Sequence, residues 1–336
     1  MVDDLEANEK EHLEALERDG YPVLSLQRAL ERFEGSEEEL EALARAGRDC
    51  LAADREAGHG TAQTVIAGLI SLRASDPKQA VAYLDVVRAS LKAGKRVASA
   101  CAGAARPIAR LDEDALGLSE GLCALAALDA KHTTEGLAFL VAALEAIPAN
   151  ALSLALQALP GLYQRDAEFG EAACKALARA GRVGGEDLVE AVLELLAIEP
   201  EGDAEFLPDL ALALDKGQGQ VTTALALAYV AALAPAARSS AGSAEDLARR
   251  LPGKVGGLAS ELQVPYLERV AQLTAAIGPG VIGFCGKGLP TLYSKRGAEV
   301  TDRFVERALE LAEKHGRWAG QTFLLGETSA ARSFLR

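Results

Sequence analysis

Residues 77–91, PKQAVAYLDVVRASL, decide how the rest of the chain is read. Val81, Leu84, Val87 and Leu91 recur every three or four residues, which lines them along one face of a helix. Leu188, Val192, Leu195 and Leu196 make a second stripe of the same kind. Helix breakers and caps fall at Gly58, Pro77, Gly94, Asp112, His132, Pro148, Arg165, Gly184, Pro200, Gly217 and Pro235. They are about 16–20 residues apart, room for a helix of about 13–15 residues and a short connection. Two helices then form a unit of about 35 residues, the length of helical-hairpin repeats. A short amphipathic helix cannot bury its stripe alone, but stacked antiparallel pairs can. The expected fold is all-α, an α-solenoid of stacked antiparallel helix pairs, with about sixteen helices.

Composition points the same way. About a fifth of the 336 residues are alanine, and alanine with leucine makes roughly a third. Aromatic residues are only 4%, so a β fold would lack the side chains that favour it. A hydrophobic fraction of 49% supplies a core and excludes global disorder. The formal charge is −14, against the cationic surface that binding nucleic acid requires. Residues 1–57 hold 17 acidic and 7 basic side chains, so most of the net charge lies there. That segment is either a solvated helix face or an electrostatic docking patch for a basic partner.

Internal similarity supports repetition. Leu159-Pro160-Gly161-Leu162-Tyr163-Gln164-Arg165 resembles Leu289-Pro290-Thr291-Leu292-Tyr293-Ser294-Lys295, and each precedes an Ala-Glu pair. The proline is expected to start a helix, with leucine and tyrosine filling the next layer. Ser239–Ser243 reads as a loop or hinge, and Gly253–Gly257 and Gly278–Gly288 as loose connections. The expected organisation is acidic helices over 1–57, regular repeats over 58–236 and a C-terminal helical cluster over 237–336.

The five cysteines, Cys50, Cys101, Cys123, Cys174 and Cys285, are odd in number and show no zinc spacing. Buried thiols in a reducing compartment are expected. The first residues lack the basic and apolar regions of a signal peptide, and the apolar part of Gly217–Ala237, the longest uncharged stretch, is too short and too alanine-rich to span a bilayer. A cytoplasmic protein without membrane insertion is expected.

Motifs for chemistry are weak. Gly117-Leu118-Ser119-Glu120-Gly121 matches a nucleophile elbow, but an acidic helix start precedes it where a strand is required. Glu9-x-x-His12 and Glu56-x-x-His59 have di-iron spacing, yet Gly58 falls inside the second. Lys254 and Lys287, in glycine-rich stretches, are followed by valine and glycine where a phosphate loop needs serine or threonine. Asp112 and Asp114 lack the spacing of terpene synthases. Lys92, Lys95, Arg96, Arg106 and Arg110 form a basic run without an acid, read as a solvated helix end or a partner patch. No catalytic residue, metal ligand or cofactor is expected.

The C-terminal segment is the most distinctive: FVERALELAEKHGRWAGQTFLLGETS over 304–329, closing with AARSFL over 330–335. With Leu289-Pro290 upstream, it resembles the helical-repeat region that precedes the von Willebrand A domain in nitric-oxide-reductase activation D-like proteins. The resemblance covers roughly 265–336, and it implies an accessory protein for a MoxR-type AAA+ ATPase or a von Willebrand A protein in enzyme maturation. The Asp-x-Ser-x-Ser metal site of that domain does not occur in this chain. The expected function is a non-catalytic helical scaffold or adaptor, with Trp318, Phe323 and Phe334 as candidate contact residues. The competing expectation is an all-helical enzyme or metal-binding protein whose site carries no familiar motif.

Overall fold

The computed structural model describes residues 13–72, 76–103, 125, 146–198, 206–214 and 221–326. Every regular element among them is helical. By internal contacts the chain divides into two compact units, Met1–Ala178 and Arg179–Arg336.

The first unit contains α1 (Val23–Leu30), α2 (Glu37–Ala57), α3 (Ala62–Ser71), α4 (Pro77–Ser90), α5 (Lys95–Gly103) and α6 (Ala149–Arg165). Caps account for the boundaries. Ser36 opens α2 in a capping box, its hydroxyl accepting from the Glu39 amide while the Glu39 carboxylate accepts from the Ser36 amide. Gly58 closes α2 in the left-handed conformation, and Asp76 caps α4 with Pro77 in its first turn. Val81, of the quoted stripe, is half-buried, whereas Leu84, Val87 and Leu91 are buried, as are Tyr83 and Val86 beside them.

A long helical run, α7 (Ala167–Ala197), is interrupted at Gly185. The second unit continues with α8 (Phe206–Ala213), α9 (Thr223–Ser239), α10 (Ala241–Val255), α11 (Ser260–Ile277), α12 (Leu289–His315) and α13 (Arg317–Leu324). Between α11 and α12 lie a 3-10 turn, Pro279–Val281, and a π turn, Phe284–Gly288. The stronger helix pairings in each unit join neighbours or next-neighbours along the chain. In the first, α2 packs on α4 and α3 on α5; in the second, α9 packs on α10 and α11, and α12 on α11 and α13.

The junctions of the second unit keep a close register. Ser240, Ala259, Gly278, Gly297 and Gly316 follow one another at intervals of 19 residues. Gly278, Gly297 and Gly316 share one backbone geometry, φ +92°, +78° and +87° with ψ near 180°, and Gly94 repeats it at φ +104°. A side chain is strongly disfavoured there, so glycine allows a helix to end and the next to begin across a single residue. The sequence Asp-Ala-Glu-Phe also occurs twice, at 166–169 and 203–206, a separation of 37 residues.

A buried aromatic marks the same phase. Tyr229, Tyr266 and Phe304 each stand seven residues after a junction, as Tyr83 does after Asp76 in the first unit. Tyr83 donates its hydroxyl to the Ala102 carbonyl at 2.7 Å, and Tyr266 to the Cys285 carbonyl at 2.8 Å; both reach 19 residues ahead. The π turn shifts the amide-to-carbonyl register by a residue, and Tyr266 takes up the Cys285 carbonyl in it. Tyr266→Phe leaves that carbonyl without its hydroxyl partner, so a loss of about 1–2 kcal/mol in urea unfolding is expected. An unchanged midpoint would mean that the bond contributes nothing.

Several local expectations change. Pro290 lies in the first turn of α12 as expected, but Pro160 sits inside α6, and Pro235 and Pro252 sit inside α9 and α10. A proline in the last turns of a helix forfeits only one amide bond, and burial of the flanking leucines and alanines outweighs it. Residue 236 is therefore within α9. Ser239–Ser243 is not an open loop: Ser239 ends α9, Ala241–Ser243 begin α10, and Ser240 between them is a one-residue junction whose hydroxyl accepts from the Ser243 amide at 3.2 Å. Gly253 belongs to α10, and most of Gly278–Gly288 is wound into the 3-10 and π turns.

Candidate protein-interaction surface

The helix α13 carries the most exposed large apolar side chain among the described residues. Trp318 is 78% exposed, and Leu325, seven residues on at the helix cap, is 53% exposed. Seven residues are nearly two helical turns, so the two side chains share a face. The opposite face is anchored. Phe323 is fully buried, its ring 4.9 Å from that of Phe304, which in turn lies 6.3 Å from Phe284. A Cβ at Gly320 would stand 2.7 Å from the Ala308 carbonyl oxygen and 2.8 Å from Ala312 Cβ, so glycine lets α13 lie close on α12.

The three expected contact residues therefore separate. Trp318 is presented to solvent. Phe323 is a core residue with no surface to offer a partner, because its place on the helix faces Phe304; its contribution is to hold α13 in position. Phe334 lies outside the described residues. Leu325 was not singled out from the sequence, although its spacing of seven from Trp318 was there to read.

Two solvent-open clefts flank helix C-termini. In the first unit, a cleft of about 710 Å³ between the ends of α2 and α4 is lined by Glu56, Asp85, Arg88 and Lys92 among others. Arg88 is engaged there, 2.9 Å from Asp85 and 3.5 Å from Asp49. In the second unit, a cleft of about 490 Å³ lies at the ends of α9 and α11 and is lined by Arg238, Ser239, Thr274, Gly278, Pro279 and Arg317. No acidic residue lines it among the described residues.

Among the described residues, the motifs suggestive of chemistry do not assemble. Glu56 and His59 stand on either side of the α2 terminus at Gly58, and His59 Nε2 lies 3.0 Å from the Leu91 carbonyl oxygen, so the pair shares no helix face. Lys254 is inside α10 and Lys287 inside the π turn. Ser119, Asp112, Asp114, Glu9, His12, Arg106 and Arg110 lie outside the described residues. Among those described, no group of three or more His, Cys, Asp or Glu side chains could hold a metal ion. Cys50, Cys101, Cys174 and Cys285 are buried and lie in no disulfide; burial pushes Cys50, Cys174 and Cys285 up to about 12, far from a reactive thiolate. No helix among the described residues is long and apolar enough to cross a membrane.

The most heavily bonded carboxylate is structural. Asp54, fully buried near the end of α2, accepts from the Thr61 amide at 3.0 and 3.1 Å, the Thr61 hydroxyl at 2.8 Å and the Ala62 amide at 3.2 Å. It caps α3 from across the Gly58–Gly60 turn, where a helix N-terminus favours negative charge. Comparison with protein-family models, with curated proteins and with solved structures finds no match.

Proposed function

We propose that the chain is a non-catalytic helical-repeat adaptor, each unit a stack of helix pairs, that binds a protein partner through the Trp318 face of α13. The observation that carries this reading is Trp318 itself. The single tryptophan of an aromatic-poor chain is 78% exposed, on a helix held rigidly by Phe323 and Gly320. A tryptophan on a fixed support loses little conformational freedom on binding and offers a large area to cover. Covering it removes on the order of 150–200 Å² of surface, about 4 kcal/mol at ~25 cal/mol/Å² before the costs of association.

Pairing between chain neighbours and next-neighbours, with the 19-residue junction register, supports the stacked-pair description, since a solenoid repeat touches only adjacent repeats. The resemblance of the C-terminal segment makes a MoxR-type AAA+ ATPase, or a von Willebrand A protein working with one, the partner class to try first. The buried cysteines outside any disulfide support a reducing, cytoplasmic setting.

Because Trp318 is the only tryptophan, its emission reports on this face directly. Titration with a purified MoxR-type ATPase is expected to shift the emission to shorter wavelength as the ring leaves water. Trp318→Ala is expected to weaken the complex by at least about 2 kcal/mol, roughly thirtyfold, in calorimetry. Binding of equal strength by Trp318→Ala and wild type would remove this face from the interface.

A further inference from the structure

We propose that the cleft at the C-terminal ends of α9 and α11, flanked by Arg238 and Arg317, takes the carboxylate side chains of an acidic peptide segment on the partner. The proposal rests on the adaptor reading and names the chemistry that such a partner would present.

The charge of the cleft carries it. Acidic side chains outnumber basic ones in this chain by 49 to 35, and the arginines of the second unit are mostly engaged. Arg249, Arg250, Arg269, Arg303 and Arg307 each pair with a neighbouring carboxylate. Arg238 and Arg317 have no acidic partner among the described residues, and both are exposed at one cleft. The cleft hydroxyls are turned inward: Ser239 donates to the Pro235 carbonyl at 3.2 Å and Thr274 to the Val270 carbonyl at 2.8 Å. The guanidinium groups are thus the charged groups left to meet a ligand.

Their simplest alternative duty is to offset the helix termini beside them. The C-terminal ends of α9 and α11 each carry roughly half a negative charge, so two guanidinium ions exceed what those ends require by about one charge. The cleft of the first unit lies at the same kind of edge, the C-terminal ends of α2 and α4, but Glu56 and Asp85 line it and Arg88 is already paired. Of these two clefts, the second unit's is the one whose described lining is cationic. The same helix-end carbonyls disfavour a compact dianion, and phosphate sites draw on helix N-termini instead. Separate carboxylates can each meet one guanidinium fork. Arg317 is next to Trp318, so an acidic segment with apolar residues could engage the cation and the exposed ring together.

The test uses the full chain, Trp318 emission and a short synthetic peptide alternating glutamate and leucine, with its glutamine counterpart and inorganic phosphate as comparison ligands. The acidic peptide is expected to give a saturable emission change that weakens as salt is raised, and the glutamine peptide none. Arg238→Gln with Arg317→Gln is expected to weaken binding by at least about tenfold, with circular dichroism checking the fold. Arg238→Lys, which keeps the charge but loses the fork, is expected to fall between. Lys295→Gln, an exposed cation elsewhere in the unit, is expected to bind as wild type does. Absence of saturation, an equal loss in Lys295→Gln, or tighter binding of inorganic phosphate than of the peptide would each overturn the proposal. An ATPase complex that survives the double arginine variant but not Trp318→Ala overturns the cleft alone; failure of both titrations overturns the adaptor reading as well.

Discussion

Asp54→Ala is expected to destabilise the first unit by about 3–4 kcal/mol. The substitution strips the buried Thr61 amide, Thr61 hydroxyl and Ala62 amide of their shared acceptor, and each buried donor left unpaired costs about 1–3 kcal/mol. Relaxation and entering water recover part of the sum. At the scale of this unit, a melting point lower by about 6–16 °C is expected, with faster hydrogen exchange in α3. Asp54→Asn keeps one oxygen but turns an amide toward the same donors, so a loss of about half that size is expected. Equal stability of Asp54→Ala and wild type would show that water serves those donors as well as the carboxylate does.

The second large effect is expected at Phe304. That residue is 1% exposed and sits between the rings of Phe284 and Phe323, in the phase that Tyr229 and Tyr266 occupy in α9 and α11. Phe304→Ala opens a cavity at the contact that holds α13, so a loss of about 3–5 kcal/mol in urea unfolding is expected. Phe304→Leu should cost about 1–1.5 kcal/mol, because most of the volume is kept. Loss of the Phe323 contact should also raise hydrogen exchange in α13 before the rest of the unit unfolds. If α13 keeps its protection in Phe304→Ala, Gly320 and its close approach to Ala308 are sufficient to hold it.

How far the residues foretold this can be traced position by position. Gly58, Pro77 and Gly94 stand at helix boundaries in the structure, because αL geometry, a locked φ and an extended positive-φ turn are local demands that one residue type answers. Gly184 was one residue from the actual break at Gly185, since either glycine could accept the strain. Pro235 was misleading because burial around it carried α9 four residues further. A spacing of 37 and 38 residues, twice the junction interval, was visible in principle from Tyr229, Tyr266 and Phe304, but one aromatic at every second junction is a faint signal among so many alanines. The candidate surface was half legible: Trp318 drew attention by its rarity, whereas the burial of Phe323 depends on Phe304, nineteen residues away.

The all-helical class and the boundaries at Gly58, Pro77 and Gly94 follow from the residues alone, because helix propensity, the spacing of apolar residues and the φ limits of glycine and proline act over a turn or two. So does the uneven charge, which is a matter of counting. Packing between helices set which aromatic faces water, which carboxylate is buried as a helix cap, and which two arginines share a cleft with no acid among the described residues. Those outcomes depend on what packs opposite each side chain, and in α9, α11, α12 and α13 the opposing residue lies one or two helices away along the chain.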